Sequence, residues 1–178
     1  MYCSWTFDGP LFPDRYISYH HENRRPYPGR VAMPDIVNYW KMDPMSVEML
    51  NFLHDLFPFE TVVSSSWKKF IDKEQCVDLF HTNGLNLTLA DDWATIIIPS
   101  YRDCVRASEI AEFVNRHSVD EYIILDDGSS GHSLTKDDVE LDEKRIVLVN
   151  EDLGIGTHDY RTMLKIVKKW AGIAPPLW

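Results

Sequence analysis

Apolar runs alternate with amphipathic stretches along this chain. Apolar runs without polar alternation predict strands that are buried on both faces, and apolar residues spaced three or four apart predict helices. Strands are therefore predicted at 1–7, 59–63, 122–125 and 145–150, with another inside 83–98. Helices are predicted at 46–56, 67–79, 107–116 and 158–170. This alternation favours an α/β fold, a Rossmannoid three-layer sandwich around a mainly parallel sheet of about five strands.

The first and last helices have the clearest polar and apolar signals. Ser46 is predicted to be the N-cap of the first helix, and Thr157 the N-cap of the last. The predicted buried stripes are Val47, Leu50, Leu53 and Leu56 in the first helix and Met163, Leu164, Val167 and Trp170 in the last. The six tryptophans are assigned to core and rim packing, and Trp178 is also considered as a docking residue.

Composition narrows the class of protein. A chain of 178 residues with 44% hydrophobic residues predicts a single folded domain spanning 1–178. The net charge of −10 argues against a general nucleic-acid coat and allows a local basic patch. Cys3, Cys76 and Cys104 form no CxxC pair, which favours a reducing compartment and no zinc site. With no apolar run of roughly 18 residues and no visible signal peptide, a soluble cytoplasmic protein is expected.

The segment 12–44 is rich in proline and is predicted to be irregular. Its arginines are interleaved with tyrosines, so the segment is locally basic; the arginines considered as ligand contacts are Arg15, Arg24, Arg25 and Arg30. Guanidinium groups and stacking aromatic rings can hold phosphates or bases. The simpler alternative is a solvated loop that covers the core.

Polar residues follow three of the predicted strands. Asp126 and Asp127 come directly after the buried run 122–125, Ser64 to Ser66 follow 59–63, and Asp8 and Gly9 follow the first strand. In parallel sheets, ligands bind outside the carboxyl ends of the strands. The adjacent carboxylates suit a cation or form a turn, and the serines suit an anion or cap the next helix. Both alternatives stay open for the two carboxylates and for the three serines.

Four motifs in order resemble the haloacid dehalogenase (HAD) superfamily of phosphohydrolases, in particular the HAD domain associated with bacterial and phage RNA-repair proteins. The motifs are TVVSSSWKK at 61–69, RASEI at 106–110, YIILDDG at 122–128 and DLGIGTHDY at 152–160. The resemblance spans nearly the whole chain.

The resemblance implies a role for each matching residue. Ser64, or Ser65 in a register shifted by one, corresponds to the hydroxyl that binds the phosphoryl group. Arg106 corresponds to the basic residue that steadies the phosphate. Asp126 corresponds to a Mg²⁺ ligand, and Asp127 to its neighbour, which holds a metal-bound water or Arg106. Lys68 stands where the family often has arginine, but a solvated helix face is the preferred interpretation.

The first motif departs from the family pattern. The superfamily has D-x-D-G-x-L, and this chain has T-F-D-G-P-L at 6–11. Asp8 matches the acid/base residue, which also belongs to the implied metal site, but Thr6 replaces the aspartate nucleophile. A threonine hydroxyl is neutral at pH 7 and a poor nucleophile without a base. Losing one carboxylate is also expected to weaken Mg²⁺ binding.

Three functions are compatible with this sequence. The first is a catalytically impaired HAD-like protein that binds a phosphorylated small molecule, a nucleic-acid end or a protein partner. The second is an active Mg²⁺-dependent phosphatase or nucleotidase, in which a metal-bound water attacks directly. The third is a phage-type factor that binds and modulates a host protein.

Overall fold

The structure is a computed structural model that describes residues 1–5, 7, 9–16, 41–98, 105–128, 134 and 141–172. A five-stranded parallel sheet lies at the centre of the fold. Its strands are β1 (Tyr2–Trp5), β2 (Glu60–Val63), β3 (Thr88–Ala94), β4 (Tyr122–Asp126) and β5 (Ile146–Leu148). The spatial order is β3-β2-β1-β4-β5, and all four pairings are parallel. The predicted α/β fold with a parallel sheet is confirmed.

Helices cover both faces of this sheet. They include α1 (Pro44–Leu56), α2 (Lys73–Thr82), α3 (Val105–Arg116) and α4 (Thr157–Trp170). Alternate strand residues point to opposite faces, so the core divides into two clusters. The larger cluster packs α1, α2 and α4 against one face, and the smaller cluster packs α3 against the other. The resulting three layers leave the carboxyl ends of the strands as the common edge.

Strand register fixes which residues meet at that edge. Trp5 of the central strand β1 pairs with Val63 of β2 on one side and with Leu125 of β4 on the other. Ser64 and Asp126 follow these partners directly. Since neighbouring strands are about 4.8 Å apart, the two backbones lie about 10 Å apart, astride the end of β1.

The helix N-caps differ from those predicted. Helix α1 begins at Pro44, and the Asp43 carboxylate caps it by accepting a 2.9 Å hydrogen bond from the Ser46 backbone N–H. Ser46 is therefore inside the helix, and its hydroxyl accepts a bond from the Ile155 N–H. Helix α4 begins at Thr157 itself, and its N-cap is Gly156.

The predicted helix 67–79 is two elements. A 3-10 turn occupies Ser66–Lys69, and α2 starts afresh at Lys73 with Asp72 as its N-cap. Asp72 and Gln75 form a capping box, in which each side chain accepts from the other's backbone N–H. The backbone at Asp72 is extended, so the first turn does not continue into α2.

The α1 stripe is shorter than predicted. Val47, Leu50 and Leu53 are buried, but Leu56 is 49% exposed. Steps of three residues fall short of the helical repeat of 3.6, so Leu56 lies about 180° around the axis from Val47. In α4, Met163 and Val167 are buried as predicted.

Candidate functional site

The strand order reverses at the centre of the sheet. From β1 the chain moves outward to β2 and β3, then returns to the other side of β1 for β4 and β5. Such a reversal opens a crevice at the carboxyl ends of the two strands that flank it. Asp126 is the last residue of β4, so its carboxylate stands at this crevice.

A buried ion pair occupies the β4 side of the crevice. Arg106 lies in the first turn of α3, and its Nη1 donates to Asp126 Oδ2 at 2.9 Å. The other carboxylate oxygen, Oδ1, accepts the Gly128 N–H at 2.7 Å. Asp126 has no exposed surface, and Arg106 is 8% exposed. The Asp126 carboxylate thus links helix α3, strand β4 and the turn that follows β4.

The Asp126 carboxyl is subject to opposing effects. Burial raises its pKa, because removing an anion from water disfavours the charged form. The Arg106 charge and the Gly128 N–H lower the pKa in opposition, and the neighbouring Asp127 raises it further. Arg106 therefore contributes most to offsetting the cost of a buried charge at this position.

The loop after β1 touches the end of β4. Gly9 has a φ of +72°, and a Cβ built there would lie 2.3 Å from the Cβ of Asp127. Only a glycine permits this backbone conformation and this close approach without strain. The contact brings two of the three predicted strand ends together at Asp127, which is partly exposed.

The serines after β2 have different environments. Ser64 and Ser65 are both buried. The Ser65 hydroxyl accepts the Trp67 N–H at 3.3 Å and caps the 3-10 turn. The capping alternative is therefore realised for Ser65, while Ser64 stands directly at the strand end.

Lys68 does not lie on a solvated helix face, so that interpretation is wrong. Its Nζ forms an ion pair with Glu109 Oε2 of α3 at 2.5 Å, and the two side chains are 3% and 6% exposed. Nζ also donates to Thr95 Oγ1 and to the Ile96 carbonyl. Glu109 was missed as a site residue, although the RASEI motif places it one helical turn after Arg106.

A magnesium site is implied by the fold family, and the described residues supply it only in part. Asp126 and Asp127 are oxygen ligands of the preferred kind. Both oxygens of Asp126 are already hydrogen-bonded. Among the described residues, no group of three or more His, Cys, Asp or Glu side chains is placed to hold a metal. These residues do not make a complete magnesium site by themselves.

Several predicted site residues lie outside the described residues. They are Thr6, Asp8, Arg24, Arg25 and Arg30. Arg15 is described and is exposed, and its backbone N–H donates to the Asp152 carbonyl at 3.2 Å. None of the helices in the described ranges has the length and apolar character that crossing a membrane requires.

Comparison with known protein families gives a match. A family model described as the HAD domain in Swiss Army Knife RNA repair proteins matches residues 7–160. No curated protein and no solved structure matches the chain. The match covers most of the sequence and includes all four motifs, so it confirms the resemblance to this family.

Proposed function

The chain belongs to the family of HAD domains in Swiss Army Knife RNA repair proteins, and on that premise we propose that it binds a phosphorylated ligand without aspartyl-phosphate chemistry. The ligand's phosphate would lie in the crevice between Ser64 and Arg106. The observation that carries the proposal is the buried Arg106–Asp126 pair, which persists beside a first motif that has Thr6 in place of the nucleophile.

The two sides of the crevice suit an oxyanion. Arg106 presents a planar set of N–H donors, which matches phosphate geometry, and Asp126 holds it at a fixed angle. Ser64 is the hydroxyl that the family pattern uses, and it immediately follows β2. We therefore assign phosphate binding to Ser64 and Arg106, with Asp127 at the rim.

The family description favours a nucleic-acid end as the source of the phosphate, since such domains occur in RNA repair proteins. The net charge of −10 opposes a long contact with a nucleic-acid backbone. A terminal phosphate needs only the crevice and a short stretch of basic surface. The arginines from Arg15 to Arg30 follow the first motif directly and would supply that surface.

The test measures binding and turnover separately. Binding of inorganic phosphate and of short RNAs with a terminal phosphate is measured by calorimetry, with hydroxyl-ended RNAs for comparison. Arg106→Gln is expected to abolish phosphate binding in variant protein whose urea unfolding confirms a folded state. Arg116→Gln is the matched control, because Arg116 is on the same helix but forms ion pairs with Asp92 and Glu112 at the surface. Turnover is measured as phosphate release with and without MgCl₂.

Three results separate the candidate functions. Turnover by Thr6→Asp but not by the parent protein, with Arg106-dependent binding in both, supports the proposal. Turnover by the parent that is lost in Asp126→Ala would establish an active phosphatase instead. Neither binding nor turnover would refute a phosphate site and leave a protein partner as the function to pursue.

A further inference from the structure

We propose that the buried Lys68–Glu109 ion pair is a positioning device that sets the separation of Ser64 and Arg106 across the phosphate crevice. This inference rests on the proposed function, because it concerns the geometry of the same site. Neither residue touches the phosphate in this scheme. Lys68 holds the segment that contains Ser64, and Glu109 holds the helix that contains Arg106. Ser64 and Arg106 are the residues that face the phosphate.

The pair connects the two sides of the site. Lys68 belongs to the serine turn (Ser64–Lys69), which begins with Ser64 and runs through the 3-10 turn. Glu109 belongs to α3, one turn after Arg106. The bond between Lys68 Nζ and Glu109 Oε2 is 2.5 Å, so the serine turn and α3 are joined directly.

Both partners are also anchored to a third segment. Lys68 Nζ donates to Thr95 Oγ1 at 2.5 Å and to the Ile96 carbonyl at 3.1 Å. Glu109 Oε1 accepts the Ile98 N–H at 3.0 Å. The segment 95–98 follows β3. With three segments held by one buried pair, movement of the serine turn relative to α3 requires several bonds to break together.

The charges favour a positioning role over simple stabilisation. A buried ion pair contributes little net stability, because desolvation of both charges offsets their attraction. Burial lowers the pKa of Lys68, the Glu109 carboxylate raises it, and the nearby Arg106 charge lowers it again. Lys68 and Arg106 therefore repel each other, and the bond between Lys68 and Glu109 opposes their separation.

The network of polar contacts extends from Arg106 to Asp126 and Gly128. Arg106 donates to Asp126, which accepts the Gly128 N–H. A displacement of α3 would therefore reach Gly128 as a change in that hydrogen bond. The Gly128 amide resonance gives a readout of the site that does not need a ligand.

The decisive variant combines Lys68→Met with Glu109→Gln. Removing one charge alone would leave the other buried and unpaired, which can prevent folding. The double variant removes both, keeps the net charge, and retains an acceptor for the Ile98 N–H. Lys68→Arg keeps the tether, and Glu112→Gln is the matched control one turn along α3, where Glu112 pairs with Arg116 at 3.1 Å.

Calorimetry with inorganic phosphate is run on variants whose urea unfolding confirms a folded state. The double variant is expected to bind phosphate about tenfold more weakly than the parent. Lys68→Arg and Glu112→Gln are expected to have phosphate affinities within about twofold of the parent's. Such a difference is small compared with the effect of mutating residues that are coupled to a site. A folded double variant with unchanged phosphate affinity would overturn the inference.

The amide NMR spectrum tests the positioning role of the Lys68–Glu109 pair without any phosphate present. In the ligand-free protein the double variant is expected to shift the Gly128 amide resonance, and Glu112→Gln is expected to leave it in place. If the parent binds no phosphate, the proposed function fails, and a shifted Gly128 resonance still supports the coupling. An unshifted resonance contradicts the inference whether or not phosphate binds.

Discussion

At the scale of single residues, Gly9 is the position where the site tolerates least change. We expect Gly9→Ala to destabilise the protein by about 3 kcal/mol, the sum of left-handed strain and forced displacement of Asp127. The added Cβ would lie 2.3 Å from the Asp127 Cβ, which is close to the backbone and cannot swing aside. Urea unfolding measures the loss of stability.

Gly84 supplies the matched control for this substitution. Its φ of +74° is nearly that of Gly9, but a Cβ there has nothing within 4 Å. Gly84→Ala should therefore cost only the strain, about 1 kcal/mol. Equal losses for the two variants would show that the contact between Gly9 and Asp127 contributes nothing.

The residues of the site differ in how far the sequence reveals them. Asp126 could be identified because a buried apolar run ends at it, a local signal. Lys68 was misjudged because its partner, Glu109, is 41 residues away, and no local pattern shows a contact across that distance. The RASEI motif contained the missing residue, but spacing alone does not show which side chain Glu109 meets.

At the scale of secondary-structure elements, the start of α1 depends on Asp43. We expect Asp43→Ala to lower the free energy of unfolding by about 1 kcal/mol, because the Ser46 N–H loses its acceptor. The Asp43 carboxylate also accepts the Ser46 hydroxyl at 2.8 Å. Thermal or urea unfolding followed by circular dichroism tests this value.

Asp55→Ala is the control on the same helix. Asp55 is exposed in the last turn of α1, where a negative charge is unfavourable next to the helix C-terminus. This substitution should change stability by less than about 0.5 kcal/mol. If Asp43→Ala were equally mild, the capping bond would not stabilise the helix.

Helix boundaries were harder to predict than the helices themselves. Ser46 and Thr157 are good capping residues by type, but the N-cap positions are occupied by Asp43 and Gly156. Pro44 at the first helical position was the available signal for Asp43. The capping box of Asp72 and Gln75 was likewise visible in the sequence and marks the break that divides 67–79.

At the scale of the whole molecule, the parallel sheet followed from the sequence but its strand order did not. Buried runs such as 122–125 predict strands, and intervening helices require parallel connections. Periodicity contains no information on which strand lies at the centre. Pairing of β1 with both β2 and β4 settles that, and this placement puts Ser64 and Asp126 on either side of the carboxyl end of β1.

The central position of β1 makes Cys3 a reporter of global unfolding. Burial raises the pKa of the Cys3 thiol to about 12, so about one native molecule in ten thousand carries the thiolate at pH 8. Iodoacetamide attacks the thiolate, and we expect Cys3 to be alkylated only when the sheet opens. Peptide mapping by mass spectrometry distinguishes Cys3 from Cys76 and Cys104 and gives the rate for each.

The same pKa shift gives stability a pH dependence of definite sign. Folding favours the protonated Cys3 thiol, so the unfolded chain releases its proton first as the pH rises above about 9, the usual value for a thiol. The free energy of unfolding should therefore fall between about pH 9 and pH 12, and burial raises the pKa of Cys76 in the same direction. The alkylation rate of Cys3 at each pH should match the opening equilibrium from urea unfolding. Rapid labelling of Cys3 in the native protein at pH 8 would show that β1 is not the protected centre of the sheet.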